Sequence, residues 1–150
     1  MQRDYSIDAP AIALTAGTAL YMLGAITGAN SPVDIVDITV GLDATAAGSL
    51  KVELVTWTTD GTGTAYTPKP VNGEGNLSVA LTTAKINYTV APSGTITVLK
   101  TWEFPTPSGA FELVLPLGRE TTIPVSTKFG LRYTTVTVSP NGYGNMTFEE

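Results

Sequence analysis

The 150-residue chain contains no cysteine and no histidine. Without cysteine there is no disulfide, no thiolate nucleophile and no sulfur ligand for a metal. Without histidine the commonest general base and the commonest metal ligand are both missing. Charge is scarce as well. Charged residues make up 14% of the chain, against about 25% in an average protein. The eight Lys and Arg residues stand singly, at Arg3, Lys51, Lys69, Lys85, Lys100, Arg119, Lys128 and Arg132. No basic patch collects phosphates, so nucleic-acid binding is not expected. Long apolar runs are lacking too. The stretch from Ala9 to Ala29 follows Asp4 and Asp8 and is broken by Pro10, Gly17, Gly24 and Gly28. Neither a signal peptide nor a membrane span fits it.

What is abundant is threonine, with 25 residues. A β-branched side chain loses χ1 freedom in a helix and suits a pleated surface. Its hydroxyl still binds water, so threonine can cover a surface that charge does not. The net charge of −5 is modest, and such weak self-repulsion tolerates dense packing of many copies.

Alternation with period 2 is the strongest local pattern. In Ile35–Leu42 it puts Val36, Ile38, Val40 and Leu42 on one face and Asp37, Thr39 and Gly41 on the other. Leu50–Leu54 alternates and continues to Trp57. Thr95–Val98 extends toward Trp102 and Phe104. Phe111, Leu113 and Leu115 share a face, with Leu117 in phase. Phe129, Leu131 and Tyr133 share another, and a slip at Thr134-Thr135 predicts a bulge or a strand that changes sheets. Met146 and Phe148 mark a last strand. Ile12 and Leu14 mark a short edge strand. Leu20–Ile26 fits a strand buried on both faces, or a short helix. Turn chemistry separates these runs at Asn30-Ser31-Pro32, Asp43–Ser49, Asp60–Gly63, Pro92-Ser93-Gly94 and Pro105–Gly109. Pro140-Asn141-Gly142 predicts a tight hairpin. Thr67–Lys85 is the least regular region and is expected to hold the longest loop, with room for one short helix. The pattern predicts a single all-β domain over residues 1–150. It is an antiparallel β-sandwich, jelly-roll-like, of about eight or nine strands.

Catalytic constellations are weak. Asp34, Asp37 and Asp43 lack the spacing of an EF-hand loop, and Asp37 falls on the polar side of a strand. Glu53, Glu103 and Glu112 could supply a glycosidase pair only if the fold brought two of them together. Alternation already explains them as acids on outer strand faces. Gly61–Gly63 and Gly73–Gly75 lack the Gly-Lys-Ser/Thr ending of a phosphate loop. Glu149-Glu150 fits a solvated pair. The Asn-X-Ser/Thr triplets at Asn76, Asn87 and Asn145 are expected by chance in so threonine-rich a chain. No serine stands in a nucleophile-elbow context. No enzyme, cofactor or metal is expected.

Interface residues are better candidates. Tyr66, Tyr88 and Tyr143 fall in or near loops, where a ring gains large contact area at little entropic cost. Residues 1–10, with Tyr5 and Asp8, fit a flexible arm that orders on a neighbour. Arg119 and Glu120 tip the turn after the Phe111–Leu117 run and are candidate contacts.

Several stretches resemble a group of small virion proteins of tailed bacteriophages. They are Asp8-Ala9-Pro10-Ala11-Ile12-Ala13-Leu14-Thr15-Ala16, Asn87-Tyr88-Thr89-Val90-Ala91-Pro92, Lys100-Thr101-Trp102-Glu103 and Pro107-Ser108-Gly109. The run ending Pro116-Leu117-Gly118-Arg119-Glu120 and the terminal Phe148-Glu149-Glu150 belong with them. None lies between Gly17 and Ile86. The resemblance implies a capsid decoration (cement) protein on the outer surface of the head, made in the host cytoplasm. Its implied partners are the major capsid protein and copies of itself, commonly in a homotrimer. A tail or neck component, and a carbohydrate-binding host-attachment module, are the alternatives.

Overall fold

The structure, a computed structural model, describes residues 3–71, 80–106, 110–116 and 118–150. Leu117, the triplet at Asn76, the Gly73–Gly75 stretch and Pro107-Ser108-Gly109 lie outside the described residues. No helix occurs among the described residues, and the strands number twelve rather than eight or nine. In chain order they are β1 (Asp4–Ala13), β2 (Leu20–Ile26), β3 (Val33–Leu42), β4 (Gly48–Thr59), β5 (Thr62–Tyr66), β6 (Lys69–Pro70), β7 (Thr83–Val90), β8 (Ser93–Thr106), β9 (Ala110–Val114), β10 (Thr121–Ile123), β11 (Lys128–Val136) and β12 (Asn141–Glu149). They form two antiparallel sheets, consistent with a β-sandwich. The first runs β10-β3-β12-β1-β6, with β9 also paired to β3. The second runs β5-β7-β2-β11-β4-β8.

Alternation builds the core. Tyr5 and Ile7 of β1, Ile35, Ile38 and Val40 of β3, and Met146 and Phe148 of β12 point inward from the first sheet. Leu23, Leu50, Val52, Leu54, Phe129, Leu131 and Tyr133 meet them from the second. Each such aliphatic or aromatic side chain contributes about 1.5–3 kcal/mol by leaving water.

The pattern departs from expectation where pairing overrides period. Val36 does not share the face of Ile38. Ile35 pairs with Phe148 and Asp37 with Thr147, so Val36 is an extra residue and the inward phase passes to Ile35. No bulge occurs at Thr134-Thr135, since β11 pairs with β4 without a break from Lys128 to Val136. Thr135 is fully buried and Val136 exposed. The phase ends one residue later, at Thr137, whose φ is +66°. Asn141-Gly142 does not form a hairpin turn, because β11 and β12 belong to different sheets. Asn141 instead opens β12, and its backbone N–H and Nδ2 both donate to the Asp43 carboxylate. The expected arm is corrected as well. Residues 4–10 are part of β1, with Asp4 opposite Glu149 and Ile7 opposite Met146. Leu20–Ile26 is a strand buried for most of its length, not a helix.

The Thr135 hydroxyl is buried and has no hydrogen-bond partner among the described residues. A buried hydroxyl without a partner is a desolvation cost that a methyl group avoids. Thr135→Val is therefore expected to stabilise the fold by about 1 kcal/mol. Urea unfolding measures this directly, and a midpoint at or below that of the parent chain contradicts it.

Candidate functional site

The acids considered for catalysis divide between the sheets, with Glu103, opposite Lys51, diagonal to Glu53, opposite Thr101, on neighbouring strands. Glu53 and Glu103 lie in the second sheet, on β4 and β8, and Glu112 lies in the first, on β9. Asp34 accepts a hydrogen bond from Thr122 Oγ1 at 2.5 Å, and Asp43 is occupied by Asn141. No group of three metal-ligating side chains converges among the described residues.

The outer face of the second sheet carries an aromatic cluster. Val55 and Trp57 leave the core side of β4 and pack with Tyr21, Tyr88 and Ile96. The Trp57 ring meets Tyr21 and Tyr88 edge-on, with centroids 5.6 and 6.0 Å apart. Room for the indole comes from Gly24 and Gly130, where any Cβ would stand within 2.8 Å of it. Asp60 ties the cluster down. Its Oδ1 accepts from Trp57 Nε1 at 3.1 Å, from Tyr88 Oη at 3.3 Å and from the Gly61 N–H at 3.0 Å. Its Oδ2 meets Lys85 Nζ at 2.6 Å. Burial works against the Asp60 charge, but the Lys85 and Trp57 hydrogen bonds outweigh it and hold the carboxyl below its ordinary value. Burial, together with Asp60, pushes the Tyr88 phenol well up. Beside this cluster Glu53, 5% exposed, is paired with Arg132 at 2.7 Å.

On the first sheet the outer face holds an open cleft of about 430 Å³. It is lined by β1 (Asp8, Pro10), β3 (Thr39), β12 (Tyr143, Asn145) and the segment carrying Tyr66 and Lys69. Strand register aligns Asp8, Asn145 and Thr39 across three neighbouring strands. Tyr66 Oη donates to Asp8 Oδ2 at 3.2 Å, and Asn145 Nδ2 donates to Asp8 Oδ1. Lys69 Nζ lies 5.8 Å from the Tyr66 ring centroid.

The candidate interface residues thus divide. Asp8, Tyr66 and Tyr143 meet in this cleft. Tyr5 is 2% exposed and stacks on Phe148 at 5.9 Å, so its ring is core rather than anchor. Tyr88 is buried in the Trp57 cluster and offers no free ring either. Arg119 is exposed in a turn closed by its N–H on Pro116 O at 2.8 Å. Glu120 lies toward the Asp4 end of the sheet, near Glu149. Asn145, Thr39 and Lys69 belong to the cleft without having been expected there. Asn145 and Asp8 are 137 residues apart in sequence, and only the β1–β12 register joins them.

The Asp4 end of the same face concentrates acids. Glu149 stands between Asp4 and Asp34 in register. Burial first, then Asp4, raise its pKa. Burial and Glu112 do the same for Asp37. A carboxyl with a raised folded-state pKa binds its proton more tightly when folded, so it costs stability as pH rises through that value. Asp60 acts oppositely: its contribution is present above 3.8 and is lost as pH falls through its lower folded value. Stability is expected to decline as pH rises from the ordinary carboxylate range through the raised values of Glu149 and Asp37, and to be level with respect to them above that. Glu149→Gln should flatten the decline, and melting curves at several pH values check it. An unchanged slope counts against this assignment.

No family model matches the chain, and no curated protein matches it.

Proposed function

We propose that the chain is a structural protein of a bacteriophage virion, a decoration protein that binds and stabilises the assembled head shell. One observation carries the reading, the order of the strands. Within the two sheets stand the sequences β1-β12-β3-β9 and β2-β11-β4-β8. The three steps from β1 to β4 pass from one sheet to the other each time, and so do the three return steps through β8, β9, β11 and β12. We read this as a jelly roll, with β5, β6, β7 and β10 as additions at its margins. Jelly rolls recur in viral capsid proteins, and the resemblance of the quoted stretches to phage virion proteins points the same way.

The margin of the second sheet supports assembly. Strand β8 is 14 residues long and, among the described residues, pairs with β4 alone. From Ser93 to Leu99 it bears no charge, and Val98 and Leu99 are exposed. An uncharged stretch of edge strand can offer its outward N–H and C=O groups to another strand. The partners of this reading are the major capsid protein and further copies of the chain, as a trimer on the outer surface of the head. Binding only to the assembled shell lowers the free energy of that state by mass action, and several subunits bound together add avidity.

Shells lacking the chain are the test. Adding the protein back should raise the temperature or force at which they rupture, and Leu99→Asp should bind them at least about tenfold more weakly. Equal rupture with and without the protein would sink the proposal.

A further inference from the structure

The geometry points to a binding site for a short neutral saccharide in the cleft between Tyr66 and Tyr143. This inference does not depend on whether the chain coats a shell. Its centre is the Tyr143 ring, 41% exposed although it belongs to a strand in the middle of a sheet. The ring is placed rather than loose. It lies across Gly41 of the neighbouring strand, where a Cβ would come within 1.7 Å of a ring carbon. Beneath it, Tyr133 Oη donates to the Tyr143 backbone carbonyl at 3.3 Å. On the other flank β1 bulges: Ala9 pairs with Gly144 and Ile12 with Gly142, so Pro10 and Ala11 together oppose Tyr143. Bulges are over-represented beside functional sites, where they re-aim a side chain. Here the bulge and the missing Gly41 side chain leave the ring seated and open to the cleft.

Around the ring the polar groups are set for hydroxyls. Asp8 is held from two sides, by Tyr66 Oη and Asn145 Nδ2, which fixes both carboxylate oxygens. Each of these oxygens has a lone pair left to accept from a ligand hydroxyl. Thr39 lines the same cleft and is aligned with Asn145. A pyranose has what this arrangement lacks: an apolar C–H face to stack on a ring and a rim of hydroxyl donors. An aromatic surface with fixed polar groups beside it is the composition of a small-molecule site. Charge selects against anions. Asp8 sits in the middle, and Lys69, the one cation lining the cleft among the described residues, lies over Tyr66.

The test is an amide-resonance titration of the full chain with maltotriose, cellotriose and chitotriose, each at millimolar concentration. At least one of them should shift Gly144, Asn145 and Thr39 while leaving β8 unmoved. Tyr143→Ala should abolish the shifts with the melting temperature kept, Tyr143→Phe should retain them, and Asp8→Ala should weaken binding about tenfold. If Tyr143→Ala also lowers the melting temperature, the parent chain with Tyr143→Phe and Asp8→Ala still decides the matter. No shift with any of the three sugars overturns the inference. So does a shift pattern centred elsewhere, or tighter binding of a sulfated sugar than of its neutral parent.

Discussion

Gly130→Ala is expected to be severely damaging, costing about 4 kcal/mol or more of stability. At this position β11 crosses between β2 and β4, directly under the Trp57 indole. An added Cβ would come within 2.1 Å of the Leu23 carbonyl oxygen, 2.7 Å of the Gly24 Cα and 2.8 Å of the Trp57 ring. Two of these neighbours are backbone in a paired strand and cannot turn aside. The sheet would have to part, breaking ladder hydrogen bonds to β2, or the strand would have to shift register. Gly24→Ala is the informative contrast. The atoms nearest its Cβ all belong to side chains, the Tyr88 hydroxyl at 2.5 Å and the indole at 2.7 Å. Its cost should be smaller, and Trp57→Phe should relieve part of it, whereas Trp57→Phe should leave the Gly130→Ala cost nearly intact. Equilibrium unfolding of the four variants checks this. A Gly130→Ala chain as stable as the Gly24→Ala chain would contradict it.

Arg132→Met carries the second large effect, a loss of about 3 kcal/mol. Arg132 Nε donates to Glu53 Oε2 at 2.8 Å and a terminal nitrogen approaches the same oxygen at 2.7 Å. The guanidinium also lies 5.9 Å from the Tyr21 ring centroid. Burial opposes the Arg132 charge, but hydrogen bonds with Tyr21 and Glu53 more than offset it and keep its pKa raised. Removing the guanidinium leaves Glu53 buried with Lys51, at 3.5 Å, as its one remaining ion-pair partner among the described residues. Lys51 is itself more than a third exposed, so water screens that contact. The cost arises from the stranded carboxylate rather than from the pair's own net contribution. Removing both charges, as Glu53→Leu with Arg132→Met, should therefore recover most of the loss. A double-mutant cycle in which the two substitutions simply add would contradict this reading.

Much of the fold was legible because burial on one face enforces a period of two. The inward residues of β4, β11 and β12 could be named from alternation alone. Illegible features have a common cause, the pairing of strands distant in sequence. Val36 looked in phase with Ile38 until a partner strand required an extra residue there. Asn141-Gly142 has the chemistry of a hairpin turn, but a hairpin also needs its two strands in one sheet. Thr134-Thr135 looked like a break in phase because a threonine stands where an apolar residue would continue the face of Tyr133, and no local signal marks a buried hydroxyl. Tyr5 looked like part of an arm and Tyr88 like a loop ring, because neither sits in a long apolar run. Tyr5 is held by its phase with Ile7, and Tyr88 by glycines on β2 and β11 that make room for Trp57.

The cleft shows the same division. Asp8, Tyr66 and Tyr143 were singled out as separate interface candidates, on residue type and on their turn-rich surroundings. Their meeting depends on the β1–β12 register and on the chain returning past β1 after β5, neither of which is local. Asn145 stood in the sequence only as the start of a chance glycosylation triplet. In the structure its amide is spent on Asp8.

Cryo-microscopy of phage heads bearing the added protein tests the proposed decoration role most directly. The expected map has the two-sheet body on the outer surface of the head lattice, with the β8 edge against a neighbouring subunit. Density on the tail or neck, or a head lattice without this body, would contradict it.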